Sequence, residues 1–277
     1  MSAAAVEQLP AIDSHYEVPQ HLRDAYRRDG HIVVRNLAEP AEFEPYRPYI
    51  ASAVDRFKKE KRKLEERSTY HKAFIQVANL WEVDDYVKRF VLSRRFAQVA
   101  ADLMGVEGVR IYHDQALFKE AGGGHTPWHQ DQYYWPIKSD KTITMWMPLV
   151  EAPVETGPMV FASGSQKDGP LVQLPIGDES SRIFPKIARE RGYPLATYEL
   201  TAGDATFHAG WTLHKTPGNS TDRVRETMTV IYVADGAKVA EPMNEHQPMD
   251  LERWFPGLKP GDPIASPLNP LVYRNGS

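Results

Sequence analysis

The sequence predicts a mainly β protein with flanking helices, its strands forming a barrel or sandwich. Helical periodicity dominates roughly residues 19–105, and from about 109 to 235 short strand-like segments, several of them alternating, are separated by turn residues. In the last stretch, residues 236–277, seven prolines (Pro242, Pro248, Pro256, Pro260, Pro263, Pro267 and Pro270) predict a wrap over the surface rather than a regular element. A helical buttress, a barrel and a wrap are expected to make one domain.

Residues 1–17 read as a loose arm. Pro19 opens a short helix over Gln20 to Arg28, stopped by Gly30, and His31 to Arg35 follows as a strand. After Pro45 and Pro48 a longer helix is expected to about Arg67, with Ile50, Val54, Phe57 and Leu64 on one side. Its run Lys58 to Lys63 mixes signs and reads as a solvated face. Asp84 to Gly105 reads as one or two helices with Phe90, Val91, Phe96, Val99 and Leu103 inward and Gly105 as the stop. The strand candidates are Val109 to Lys119, Thr142 to Val150, Met159 to Ala162, Ala196 to Leu200, Ala205 to His208 and Thr227 to Ala234. One helical insertion interrupts them near Ser181 to Arg191.

Composition removes several classes of function. Hydrophobic content of 42% and charged content of 25% are those of an ordinary soluble globular protein. A net charge of −4 gives no footprint for nucleic acid or an anionic membrane, and no apolar run has the length of a membrane span. The N-terminus lacks the basic and apolar regions of a signal peptide, so a cytoplasmic location is expected. With zero cysteines, any metal must be held by His, Asp and Glu, which suits zinc, manganese or non-haem iron.

The stretch His125 to Trp135 contains an H-x-D pair, His129 and Asp131, just after the glycines Gly122, Gly123 and Gly124. In a strand, residues two apart share a face, so an imidazole and a carboxylate at this spacing can grip one ion. A third ligand is sought downstream, where His208 and His214 compete. His208 ends a strand candidate, where a structural hydrogen bond is the commoner fate. His214 precedes a Pro-Gly turn and suits a ligand pointing into a barrel. Arg225 lies eleven residues after His214, at the start of the apolar strand Thr227 to Val233. An arginine entering a buried strand calls for an anionic partner.

Together these residues resemble the phytanoyl-CoA dioxygenase family of iron(II)- and 2-oxoglutarate-dependent oxygenases, over roughly residues 20 to 235. The resemblance rests on His129-Gln130-Asp131, on His214 in H-x-T-P-x-N, and on Arg225 at the family's interval. Phe118-Lys119-Glu120, Trp146, Phe161 to Ser165 and Gly203-Asp204 support it. It implies a double-stranded β-helix, the jelly-roll or cupin-like barrel. It implies that His129, Asp131 and His214 hold Fe(II), and that His208 matches a histidine that does not. Arg225 matches the arginine that pairs with the distal carboxylate of 2-oxoglutarate. Trp146 and Gln115 fall where the family lines the co-substrate pocket, and Thr216 or Thr227 could add a hydroxyl there. O2 is then the oxidant, and succinate and carbon dioxide are products.

Trp128, Tyr133, Tyr134, Trp135 and Trp211 are candidates for the cavity wall, and His71 and Gln76, in the segment from 68 to 81, for its cap. His113, His15, His21, His31 and His246 read as structural or exposed. The expected reaction is hydroxylation of an unactivated C–H bond in a small apolar metabolite, as a tailoring step of secondary metabolism. Desaturation, epimerisation, epoxidation or ring closure at the same iron is the alternative, and a catalytically silent ligand-binding barrel is the reading from another class. The chain is expected to act as a monomer or homodimer on a small-molecule substrate.

Overall fold

In the computed structural model, which describes residues 8–68 and 71–276, helices gather in the first third of the chain. Helix α1 (Gln20–Asp29) leads through Gly30 into strand β1 (His31–Val34), and the one-turn helix α2 (Pro40–Phe43) precedes α3 (Arg47–Phe57). Strand β2 (Ile75–Ala78) is followed by α4 (Asp85–Val91) and α5 (Arg94–Met104), the latter closed by Gly105 at φ +68°. Phe90, Val91, Phe96, Val99 and Leu103 are all buried, as their spacing requires. Of the arm expected at the N-terminus, residues 1–7 lie outside the described residues. The remainder is packed rather than loose: Ile12 is buried and its carbonyl accepts from the Arg95 amide.

The helix expected to reach Arg67 ends instead at Phe57, with Lys58 already extended at ψ 127°. The six residues Lys58 to Lys63 offer no apolar side chain to bury, so nothing docks a further turn. Leu64 sits in a separate 3₁₀ turn over Leu64–Glu66.

Eleven further strands follow: β3 (Gly108–Phe118), β4 (Thr126–His129), β5 (Ile137–Lys138), β6 (Thr142–Pro148), β7 (Val160–Ala162), β8 (Leu195–Thr197), β9 (Ala205–Ala209), β10 (His214–Thr216), β11 (Thr227–Ala234), β12 (Lys238–Val239) and β13 (Leu271–Arg274). Helix α6 (Asp178–Glu190) is the expected insertion, and α7 (Gln247–Trp254) falls in the proline-rich tail. The seven-stranded sheet runs β1-β9-β6-β11-β3-β13, with β2 on the same edge of β3 as β13, and the four-stranded sheet runs β4-β10-β7-β8. The two remain separate sheets, so the β core is an antiparallel double-stranded jelly roll rather than a closed barrel. No helix among the described residues is long and apolar enough to cross a membrane.

The helices cover one face of the large sheet. Ile143, Met145 and Met147 of β6, Ala205 and Phe207 of β9, and Met228, Val230 and Tyr232 of β11 join the helical side chains in one core. Alternate residues on those strands face the smaller sheet, which explains why β6 and β11 are buried at every position. The tail does more than wrap. β13 pairs with the start of β3, β12 pairs with β5, and α7 packs against Tyr112 of β3 and Trp135 after the Asp131–Tyr134 turn.

Candidate metal centre

Strands β4 and β10 pair so that His129 and His214 are direct neighbours across the ladder, with imidazole centroids 4.1 Å apart. The sequence places both members of the H-x-D pair on one strand, but β4 ends at His129, Gln130 stays extended, and Asp131 opens a 3₁₀ turn. The turn still returns the carboxylate to the histidines: Asp131 Oδ1 lies 3.4 Å from His129 Nε2 and 3.7 Å from His214 Nε2. Each imidazole is oriented from behind, His129 Nδ1 by the Pro127 carbonyl at 2.8 Å and His214 Nδ1 by the Thr212 carbonyl at 2.9 Å. A carbonyl can only accept, so Nδ1 carries the proton and Nε2 presents its lone pair to the centre.

The other oxygen of Asp131 is held separately. Thr144 Oγ1 donates to Oδ2 at 3.3 Å, and His208 Nε2 lies 3.2 Å from it. Thr144 and His208 are register partners on β6 and β9, so the large sheet fixes one carboxylate oxygen and leaves the other to the histidines. Burial opposes ionisation of Asp131, yet His214, His129 and His208 around it hold its carboxyl well below the ordinary range. Burial, reinforced by His129, holds the His214 imidazole well below its ordinary value and so neutral, the form that ligates metal. The ligand atoms of His129, Asp131 and His214 all lie within 4.8 Å of one another, a spacing that one ion can bridge. Of the two competing histidines, the structure places His214 in this group and His208 behind the carboxylate.

Arg225 is 1% exposed, and no carboxylate pairs with it among the described residues. Its Nη1 donates to the carbonyls of Gly157 and Thr156, its guanidinium lies 4.9 Å over the Trp146 ring, and its Nε has no partner. Burial pulls its pKa down to about 9. Gly157 must be glycine: φ is +72° and a Cβ would meet the Pro217 carbonyl at 2.3 Å. Facing Arg225 across an isolated bridge is Lys119, fully buried, with Nζ on the Gly124 carbonyl at 2.5 Å. Burial and then Arg225 push Lys119 down to about 6. A buried guanidinium without an anionic partner is costly, and an anion joining it would offset that cost.

The cluster and Arg225 open on one cavity of about 880 Å³ between the sheets. Trp146, Gln115 and Thr216 line it, while Thr227 does not. Thr216 bonds Thr126 Oγ1 at 2.9 Å, so its hydroxyl is already shared. His71 and Gln76 line the cavity; Thr69 and Tyr70 of the same segment lie outside the described residues.

Three expectations need correction. Trp128, Tyr133 and Trp211 do not line the cavity, whereas Tyr134 and Trp135 do; Trp128 is drawn into the packing against α6 and beneath Lys215. His113 and His246, read as structural or exposed, are on the cavity wall. The cause at His113 is a bulge at Tyr112: Ile231 pairs with His113 but Tyr232 with Ile111. The extra residue reverses the alternation, turning His113 and Gln115 away from the helices and towards the cavity. The third concerns the tail, whose Asp250, Arg253 and Trp254 on α7 also line the wall. Pro248 in the first turn, with Gln247, Leu251 and Trp254 at helical spacing, was a signal available in the sequence.

Two histidines and one carboxylate beside a buried, unpaired arginine in a jelly roll define the iron(II)- and 2-oxoglutarate-dependent dioxygenases as the class. The model of the phytanoyl-CoA dioxygenase (PhyH) family matches residues 26–227, and the chain belongs to that family. It is 27% identical over 158 residues to a probable alpha-ketoglutarate-dependent hypophosphite dioxygenase of Stutzerimonas stutzeri, spanning 54% of either chain, or about half the length of that curated relative. Among solved structures it is similar to the carbocyclase SnoK from nogalamycin biosynthesis (TM-score 0.77, 23% identity, 93% of this chain and 97% of that one). It is also similar to the epimerase SnoN in complex with Fe3+, alpha-ketoglutarate and nogalamycin RO (TM-score 0.73, 26% identity, 98% and 100%).

Proposed function

We propose that the protein is an Fe(II)- and 2-oxoglutarate-dependent oxygenase that hydroxylates an unactivated C–H bond of a small, ring-containing metabolite and releases succinate and carbon dioxide. The observation that carries this is the placement of His129, Asp131 and His214 on the wall of the same cavity as Arg225, a buried cation whose Nε has no partner. His129, Asp131 and His214 would hold the metal, and Arg225 the distal carboxylate of 2-oxoglutarate. Bound there, iron(II) with 2-oxoglutarate and O2 supplies the oxidising power.

The chain's own residues supply position and a shielded site. Pro127 and Thr212 carbonyls fix the imidazole tautomers, and Thr144 with His208 fixes one oxygen of Asp131. Trp146 lies beneath the guanidinium of Arg225 and shields it from water on that side. A coenzyme A thioester fits poorly, because beyond Arg225 the cations on the cavity wall are Lys59 and Arg253, too few for its phosphates. The aromatic and aliphatic side chains of the wall suit rings better.

Ring closure or epimerisation at the same iron is a second reading, favoured by the likeness to SnoK and SnoN. A silent binding barrel would have no use for three convergent ligands and an unpaired arginine. The test is iron analysis of protein purified without oxygen, followed by a succinate-release screen against a metabolite panel with mass spectrometry of products. Protein that neither binds iron nor turns over 2-oxoglutarate would overturn the proposal; a product isomeric with its substrate, or two hydrogens lighter, would select the second reading.

A further inference from the structure

The cavity holds a second group of polar side chains that neither iron nor 2-oxoglutarate requires. It belongs to α7, which lies beyond the last family-matched residue, 227. Asp250 and Arg253, three residues apart on one helix, both line the wall. The carboxylate of Asp250 is fixed, since the fully buried Tyr112 hydroxyl donates to its Oδ2 at 2.8 Å. Trp254 lies against His113 with ring centroids 4.7 Å apart, and His113 is 3% exposed with no partner at Nδ1. The helix is also tied to the turn that carries Asp131. Asn244 Nδ2 and Gln247 Nε2 both donate to the Tyr133 carbonyl, at 2.8 and 3.1 Å.

The chemistry of this wall selects its ligand. The Arg253 guanidinium stands on the same wall as Asp250, so a cationic ligand meets repulsion there, and an anionic ligand meets the carboxylate itself. A neutral donor is what remains. Beside it stand the flat faces of Trp135 and Trp254 and the ring of Tyr134. We propose that α7 is the substrate-recognition element and that Asp250 accepts a hydrogen bond from a hydroxyl group carried by a polycyclic substrate. This rests on the dioxygenase reading of the same cavity and names the chemistry of its substrate.

The test compares fluorene with 2-hydroxyfluorene and 9-hydroxyfluorene by equilibrium dialysis against the iron(II)- and 2-oxoglutarate-loaded protein without oxygen. A hydrogen bond to a fixed carboxylate should favour at least one alcohol over fluorene by about tenfold or more in the wild type. Asp250→Ala should cut that preference to within about threefold while leaving fluorene affinity unchanged, and Asp250→Asn should fall between. Equal binding of all three probes to the wild type, binding of none, or a preference that survives in Asp250→Ala overturns the proposal. So does an equal loss for fluorene and the alcohols, which would make Asp250 a packing residue. Iron and 2-oxoglutarate binding are measured in the same samples. Their absence from the wild type would sink the dioxygenase reading, while dialysis against the unloaded protein would still report on Asp250.

Discussion

Replacing Arg225 tests the co-substrate site most directly. In the structure its guanidinium is sealed from solvent, its Nε lacks a partner, and only backbone carbonyls of Thr156 and Gly157 accept from Nη1. A carboxylate arriving here meets a cation that has already been desolvated, so most of the pairing energy appears as affinity. Removing one partner of a buried pair costs about 3–5 kcal/mol. At about 1.4 kcal/mol per tenfold, Arg225→Ala should weaken 2-oxoglutarate binding by roughly a hundredfold or more. Arg225→Lys keeps the charge but not the fork, and should lose about tenfold. Arg223, exposed two residues earlier, is the control and should change affinity little. Anaerobic calorimetry of 2-oxoglutarate binding to the iron-loaded variants measures all three. Wild-type affinity in Arg225→Ala, or a large loss in Arg223→Ala alone, would refute the reasoning.

Other outcomes follow from the same geometry. His129→Ala, Asp131→Ala and His214→Ala should each lose iron and product formation, whereas His208→Ala should still bind iron; anaerobic iron titration decides, and iron lost only from the His208 variant would reverse the assignment. Lys119 is pushed down to about 6 by burial and by Arg225, so near pH 7 it is mostly neutral in the empty site. An anion at Arg225 removes part of that penalty and raises the lysine towards its ordinary value, so 2-oxoglutarate binding near pH 7 should take up protons. The binding enthalpy should then vary with the ionisation enthalpy of the buffer, and Lys119→Met should abolish the dependence. The sign for stability is the opposite of that for an ion-paired lysine: between about 6 and the ordinary value the unfolded chain binds the Lys119 proton and the fold does not, so this group's contribution to stability rises with pH across that window. In Lys119→Met, denaturant unfolding should therefore lose part of its pH dependence above pH 6.

The parts of the molecule written in local pattern were legible in the sequence. Helical spacing placed the five inward residues of α4 and α5, and short β-rich runs between turn signals, with alternation clearest in β6, found β3, β6, β9 and β11. The site was legible where spacing along the chain carries it, as in His129 with Asp131 and His214 with Arg225. What the sequence hid depends on pairing. His113 sits on the cavity wall only because of a bulge at Tyr112, which is defined by register with β11 and by nothing local. The helix expected to reach Arg67 stops at Phe57 because burial, not propensity, holds the last turn. Trp128 and Trp135 are seven residues apart in one aromatic run, yet they end in different clusters because the Asp131–Tyr134 turn rotates the chain between them.

The same turn explains how chemistry and specificity can be separate in this fold. Asp131 begins it, held from behind by Thr144 and His208 on the large sheet, so the metal side depends on β6 and β9. Tyr133, two residues on, offers its carbonyl to Asn244 and Gln247, and that carbonyl docks α7. The His246 ring at the start of α7 also meets the rings of Tyr133 and Tyr134, so the helix is packed on the far end of the turn while the Asp131 carboxylate is held from the large sheet. The hydrogen bond from Tyr112 to Asp250 comes from the bulged residue itself, so one irregularity in β3 both aims His113 at the cavity and anchors the helix opposite it. The carboxylate of Asp131 and the wall on α7 therefore rest on different supports, the first on Thr144 and His208, the second on the bulged Tyr112 and the Tyr133 carbonyl.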